Sequence, residues 1–277
     1  MSIQTWFITG ASSGLGAAIA NAALQAGHRV AVTARDKSRL AALADAYPDA
    51  VLPLSMDLAD HAGIQAAVAA AEAWHGGIDV LVNNAAIGYL AAIEEGEDAQ
   101  IRALFETNVF GVAATIRAAL PGMRARAAGI VMNVSSLNGV VAMPALGYYS
   151  ATKFALEALT EALAQEVAPL GIKVMSIEPG GVRTGIVERN LRSPRIDAYG
   201  ATAHAIVDLL VNDRQGTLAP SDPRRIGAIL VDLAASGDLP PRLILGPDSW
   251  NAVMARLDAL RASYAPWKDL AHATTFR

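Results

Sequence analysis

The stretch GYYSATKFALEALTEAL, residues 147–163, sets Tyr148 and Tyr149 side by side and places Lys153 four residues after the second. A phenol titrates near ~10, far from neutrality, and a nearby positive charge lowers that value by favouring the phenolate. On an α-helix, residues i and i+4 share a face with about 5–6 Å between their Cβ atoms. Lys153 therefore lies beside Tyr149, whereas Tyr148, turned by about 100° on the helix, has Thr152 at its own i+4 position. Tyr149 and Lys153 form the pair that can hold and release a proton. The lysine is not needed for solubility, because Glu157, Glu161 and Glu166 are expected on the outer face of the same helix.

A second constellation, TGASSGLG at residues 9–16, follows a short apolar run and leads into a helical pattern. Gly10, Gly14 and Gly16, spaced Gly-x3-Gly-x-Gly, let the backbone turn sharply and approach a ligand with no Cβ in the way. The helix start behind them offers free N–H groups and the positive end of a dipole, which suits a phosphate.

Both constellations need a frame to position them. Short Val/Ile/Leu-rich runs at 5–9, 29–34, 50–55, 78–84, 129–135, 172–178 and 242–246 read as strands, most of them apolar throughout, as strands covered on both faces are. Helical patterns fall between and after them at 14–26, 37–46, 60–74, 97–120, 149–169, 203–213, 222–236 and 248–263. This order predicts an α/β fold, a doubly wound parallel sheet with helices on both faces, within one domain over 1–277. The glycine- and charge-containing stretch 180–202 reads as a mobile loop, within an expected substrate lid at about 185–213. A C-terminal helical extension at about 248–277 carries Trp250, Val253, Met254, Leu257 and Leu260 at helical spacing, a stripe that predicts core packing.

With 277 residues and 53% hydrophobic composition, the chain can bury a large core. Its net charge of −4 is spread without a Lys/Arg block, which argues against nucleic acid or an anionic membrane as a partner. The absence of cysteine excludes disulfides and thiolate metal sites. The histidines at 28, 61, 75, 204 and 272 show no ligand spacing, so no metal site is expected. No basic segment precedes the first apolar run, and no uninterrupted apolar run approaches about 18 residues, so a cytoplasmic protein is expected.

The glycine spacing, the NNAA sequence at 83–86, Ser136 after the fifth strand and Tyr149-x3-Lys153 thirteen residues later together resemble the short-chain dehydrogenase/reductase family, over roughly residues 3–185 plus the last strand. The resemblance implies a Rossmann-type fold and a catalytic group of Ser136, Tyr149 and Lys153, with Asn108 as fourth member. It implies that residues 10–16, including Ser12, Ser13 and Leu15, hold a cofactor pyrophosphate. Asp57 and Leu58 would flank the adenine, and Asn84, Ala85 and Ala86 would line the adenosine side. Pro179, Gly180, Val182 and Thr184 would lie over the nicotinamide, with Tyr149 and Lys153 also touching the cofactor. Ala86 departs from the glycine usual in the family. In this chemistry the tyrosine gives a proton to a carbonyl oxygen, Ser136 donates a hydrogen bond to that oxygen, and Asn108 holds a water that links Lys153 to solvent.

At the end of the second strand Ala34 stands where NAD-using members carry an acid, and Arg35 follows it. A guanidinium binds a 2′-phosphate that an acid would repel, so NADP(H) is expected over NAD(H), with Asp36 as an opposing charge. Leu137, Asn138 and Met143 are candidate substrate contacts, with Trp250 or Met254 a further possibility. The expected activity is hydride transfer between NADP(H) and a hydrophobic ketone, aldehyde or secondary alcohol. Epimerisation or dehydration, or a non-catalytic NADP-sensing role, are the alternatives. The C-terminal extension would cover a face used for tetramer assembly in shorter members, so a monomer or homodimer is expected.

Overall fold

The computed structural model describes residues 2–185, 187–213 and 215–276, with Glu188 by its backbone alone. Met1 and Arg277 of the expected domain, and Ile186 of the expected lid, lie outside the described residues. The strands are β1 (Thr5–Ile8), β2 (Arg29–Ala34), β3 (Val51–Ser55), β4 (Val80–Asn83), β5 (Tyr89–Leu90), β6 (Gly129–Val134), β7 (Ile172–Pro179), β8 (Leu191–Arg192) and β9 (Arg242–Leu245). The α-helices are α1 (Gly14–Gln25), α2 (Ala41–Ala46), α3 (His61–Glu72), α4 (Asp98–Phe105), α5 (Gly111–Arg126), α6 (Gly147–Val167), α7 (Ala205–Asn212), α8 (Pro223–Ser236), α9 (Pro247–Tyr264) and α10 (Lys268–His272).

Seven strands form one sheet in the order β3-β2-β1-β4-β6-β7-β9, parallel throughout. Alternation along β1 shows why every strand reads as apolar. Trp6 and Ile8 face a layer that contains Ile19 of α1 and Leu230 of α8, while Phe7 faces the opposite layer with Val68 of α3, Ile116 of α5 and Leu156 of α6. Pro53 is tolerated in β3 because that strand is an edge, paired only with β2.

Several predicted elements are redrawn by the structure. The helix expected over 37–46 divides into a 3₁₀ turn at Lys37–Leu40 and α2, because Asp36 accepts a hydrogen bond from the Ser38 N–H and starts a turn there. The helix expected over 97–120 runs on through Pro121 to Arg126, held beyond the proline by the buried Met123. The whole span Asp98–Arg126 is long and apolar enough by composition to cross a membrane, but half of its most apolar window is buried within the fold.

The stretch 180–202, expected as a mobile loop, is anchored at many points. β8 pairs in parallel with β5, and Ile196 N–H donates to Glu95 at 2.7 Å. Glu95 also meets His204 Nε2 at 2.5 Å, both side chains being buried, and Tyr199 donates to Glu94. These partners belong to a distant part of the chain, so local periodicity carries no trace of them. The C-terminal stripe is a second correction. Only Val253 is buried, while Trp250, Met254 and Leu257 are 56%, 39% and 47% exposed, because α9 packs by its first turns alone.

Candidate active site

From β1 the chain runs outward to β2 and β3 and then returns to β4 on the other side of β1, the reversal of strand order outside whose carboxyl ends α/β sheets form a ligand crevice. Thr9 binds its two sides together. Its Oγ1 accepts from the Asn84 and Ala85 N–H groups, each at 2.9 Å, and Asn84 Nδ2 donates to the Thr9 carbonyl at 2.9 Å. Gly10 has φ +68°, and a Cβ there would stand 2.8 Å from the Ala85 Cβ. A Cβ on Gly16 would stand 2.5 Å from the Gly10 carbonyl oxygen. Ala86, by contrast, has no left-handed φ, so its methyl replaces the expected glycine without backbone strain.

Ser13 is the N-cap of α1, yet its hydroxyl makes no capping bond and the first turn of the helix holds no acid. Asp60 and Asp222, by contrast, cap α3 and α8 through their side chains. The N–H groups of Gly14, Leu15 and Gly16 have no partner within the helix, and Ser12 and Ser13 lie half-buried beside them. An uncapped helix end behind a close-packed glycine turn fits a diphosphate. Of Pro179, Gly180, Val182 and Thr184, the last approaches this turn: a Cβ on Gly14 would lie 3.0 Å from that of Thr184. Gly180 N–H bonds the Leu245 carbonyl at 2.9 Å, and Gly181 N–H donates to Asp248 at 2.6 Å.

On the far side of the crevice, Arg35 is exposed at the end of β2, directly after the buried Ala34. Asp36 is occupied elsewhere. Its Oδ1 accepts from the Ser38 hydroxyl at 2.7 Å and the Ser38 N–H at 3.0 Å, which holds its carboxyl below the usual range. Asp57 accepts from the Ala59 N–H at 3.0 Å, and Leu58 is buried beneath it.

Tyr149 and Lys153 occupy the first turns of α6, with Lys153 Nζ 5.7 Å from the centre of the Tyr149 ring. Ser136, the residue that follows Ser135 after β6, accepts from the Asn138 N–H at 3.1 Å. Burial pushes the Tyr149 phenol up to about 12, against a smaller downward pull from Ser136. Burial likewise pushes Lys153 down to about 8, with Glu157 opposing it. This corrects the expectation of a phenol lowered by its cation. Desolvation of the phenolate dominates, and the ammonium is aimed at the Val134 carbonyl, 2.8 Å away.

Asn108 lies in a π-helical turn, Glu106–Phe110, that joins α4 to α5. Such bulges frequently mark functional sites. Its Oδ1 accepts from the Ile87 N–H at 2.9 Å, while Nδ2 donates to the Ile87 carbonyl at 2.8 Å and to Thr152 Oγ1 at 3.2 Å. It fixes the loop after β4 against α6, and none of these bonds goes to Lys153.

Glu157 corrects another expectation. It is buried, not on the outer face: it accepts from the Ser176 hydroxyl at 2.6 Å and pairs with Arg242 Nη1 at 2.9 Å. Arg242 also bridges Glu178 at 3.1 Å and Glu161 at 2.9 Å. The signal was present in the sequence, since Glu157 is at i+4 from Lys153 and shares its inward face. Among the candidate substrate contacts, Met143 and Tyr149 pack with Leu146, Ala203 and Val207, an apolar wall partly supplied by α7. Leu137 is half-buried, and Asn138 is buried with Nδ2 donating to the Val141 carbonyl at 3.0 Å. Trp250 and Met254 are outside this wall.

The family model for short chain dehydrogenases matches residues 4–195. Over 273 residues, the chain is 35% identical to the oxidoreductase BOA17 of Botryotinia fuckeliana, covering 98% of this chain and 99% of that one. It is 34% identical to a 3-ketodihydrosphingosine reductase of Bacteroides thetaiotaomicron, with 89% of each chain covered. A crystal structure of a short-chain dehydrogenase from Streptomyces avermitilis superposes with a TM-score of 0.91 at 39% identity over 100% of both chains. A 3-ketoacyl-(acyl-carrier-protein) reductase of Brucella melitensis was solved with NADH (TM-score 0.73, 27% identity, 87% and 95% covered). A short-chain dehydrogenase of Burkholderia cenocepacia was solved with NADP (TM-score 0.72, 26% identity, 95% and 98% covered). With its sheet order, its crevice and these relatives, the chain belongs to the short-chain dehydrogenase/reductase family, an oxidoreductase family whose members act with a nicotinamide cofactor.

Proposed function

We propose that this protein is an NADP(H)-dependent carbonyl reductase or alcohol dehydrogenase acting on a hydrophobic ketone, aldehyde or secondary alcohol. The observation that carries this reading is the meeting of Tyr149, Ser136 and Lys153 with the apolar wall of Met143, Leu146, Ala203 and Val207. A phenol held protonated to about 12 is a proton donor across the physiological range. Ser136 donates to the substrate oxygen and so orients the carbonyl towards the phenol. Lys153, charged below about 8, stabilises negative charge as it develops at the Tyr149 oxygen. A nicotinamide cofactor, which residues 10–16 would hold by its diphosphate, would supply the hydride for the carbonyl carbon.

Arg35 and the engagement of Asp36 with Ser38 support NADP(H) over NAD(H). The two named reductases among the relatives support carbonyl reduction as the reaction. The test is NADPH oxidation, followed by absorbance, across a panel of apolar ketones and aldehydes. Tight NADPH binding without turnover on any of them would favour the sensing alternative.

A further inference from the structure

We infer that Arg189 is a cofactor ligand: a cation carried by the segment between β7 and β8 that reaches the diphosphate at the start of α1. The inference rests on the reading above that residues 10–16 hold that diphosphate. Arg189 Nη1 donates to Ser13 Oγ at 2.8 Å, and Nη2 donates to the Thr184 carbonyl at 3.2 Å. Ser13 is the N-cap whose hydroxyl does not cap α1. The guanidinium is thus set beside the positive end of a helix dipole, where a cation is unfavourable unless an anion lies between them.

Among the described side chains, no acid explains the placement. The first turn of α1 contains none, and among the described residues no carboxylate pairs with Arg189. The neighbouring arginines face elsewhere. Arg183 donates to the Ala219 and Gly216 carbonyls, and Arg195 pairs with Asp208. Arg189 alone among these three is turned to the phosphate loop. Its planar fork matches two oxygens of a phosphate, a geometry that a lysine lacks. Only Asn190 separates Arg189 from β8, so a diphosphate held by it braces the strand that pairs with β5.

The test is cofactor affinity measured without turnover. NADPH binding to wild type, Arg189→Ala and Arg189→Lys is followed by fluorescence titration, with adenosine 2′-monophosphate, which lacks the diphosphate, as the second probe. Arg189→Ala is expected to weaken NADPH about 10- to 100-fold, the range for one charge-assisted contact, and to leave adenosine 2′-monophosphate unchanged. Arg189→Lys should fall between Arg189→Ala and wild type. The dependence of NADPH affinity on salt should also be shallower in Arg189→Ala. An Arg189→Ala protein that binds NADPH as wild type does, or that loses both probes equally, overturns the inference. If wild type itself binds no dinucleotide, it is the underlying reading of the phosphate loop that fails.

Discussion

Lys153 Nζ lies 5.7 Å from the centre of the Tyr149 ring but gives its hydrogen bond to the Val134 carbonyl. The ammonium is thereby pinned to β6, and the phenol is left free to address a substrate. Tyr148 is bound differently, donating to the Ile93 carbonyl at 2.6 Å and stacking on Tyr89 at 5.9 Å. Tyr149→Phe should lower kcat by about 10²- to 10⁴-fold, the usual contribution of a general acid, with NADPH affinity retained. Tyr148→Phe should cost stability more than turnover. Steady-state kinetics with parallel cofactor titrations separate the two, and a dead Tyr148→Phe enzyme would reverse the assignment.

The ionisation of this pair fixes a pH profile. The phenol stays protonated to about 12 and the ammonium stays charged below about 8. Ketone reduction is therefore expected to be level through neutral pH and to decline above about 8 as Lys153 loses its charge. Alcohol oxidation, which needs the phenolate, should rise with pH. Glu157 supports the charge on Lys153, so Glu157→Gln should move the alkaline decline of reduction to lower pH. Profiles of kcat/KM in both directions check each limb.

On the proposed function, cofactor choice would rest on one exposed guanidinium. Arg35 follows the buried Ala34, while Asp36 is held by Ser38. A charge-assisted contact to a 2′-phosphate contributes about 1.5–3 kcal/mol, so Arg35→Ala should weaken NADPH about 10- to 100-fold and NADH little. Ala34→Asp should repel the phosphate and reverse the preference. Catalytic efficiency with both cofactors at fixed ionic strength decides; equal loss of both would remove Arg35 as the discriminator.

Arg242 holds the carboxylates of Glu157 and Glu178, both buried. Arg242→Met should destabilise the fold by about 3–5 kcal/mol, because it strands buried charge. Burial and the neighbouring Glu157 already raise the Glu178 carboxyl above its ordinary value. A raised acid is stabilising where it is protonated and loses that share as pH rises through its folded-state value. The defect should therefore be larger at pH 8 than at pH 5. Urea denaturation at the two pH values measures it, and an equal loss at both would show that stranded carboxylate charge is not the cause.

Local patterns made much of this legible. Apolar strand runs announced the parallel sheet, the glycine spacing marked the tight turn into α1, and the i, i+4 rule set Lys153 beside Tyr149. What stayed hidden depends on partners far along the chain. For Glu157, the i+4 relation to Lys153 already marked the inward face, and only its cation, Arg242, which arrives with β9, was out of reach. The segment after β7 looked loose because Glu95, which holds it, lies before α4. The phenol's raised ionisation likewise comes from burial among side chains such as Ala203 and Val207, not from its neighbour four residues away. Arg189 meets Ser13 across 176 positions of sequence, a contact that periodicity cannot register.

The Thr9 clasp on Asn84 also sets when the crevice can exist. These residues are 75 positions apart, and their meeting requires β1 and β4 to pair across the intervening β2 and β3. Such non-local parallel pairing closes late, because chain entropy must be lost before any contact offsets it. A nascent chain that ends before β9 would also lack Asp248, which braces Gly181 across 67 positions. A dinucleotide seated at this junction would therefore act mainly on unfolding, as a bolt on the finished sheet. At a hundredfold excess over its Kd it would add about 2.7 kcal/mol, so the lifetime of the folded enzyme would follow the free cofactor pool.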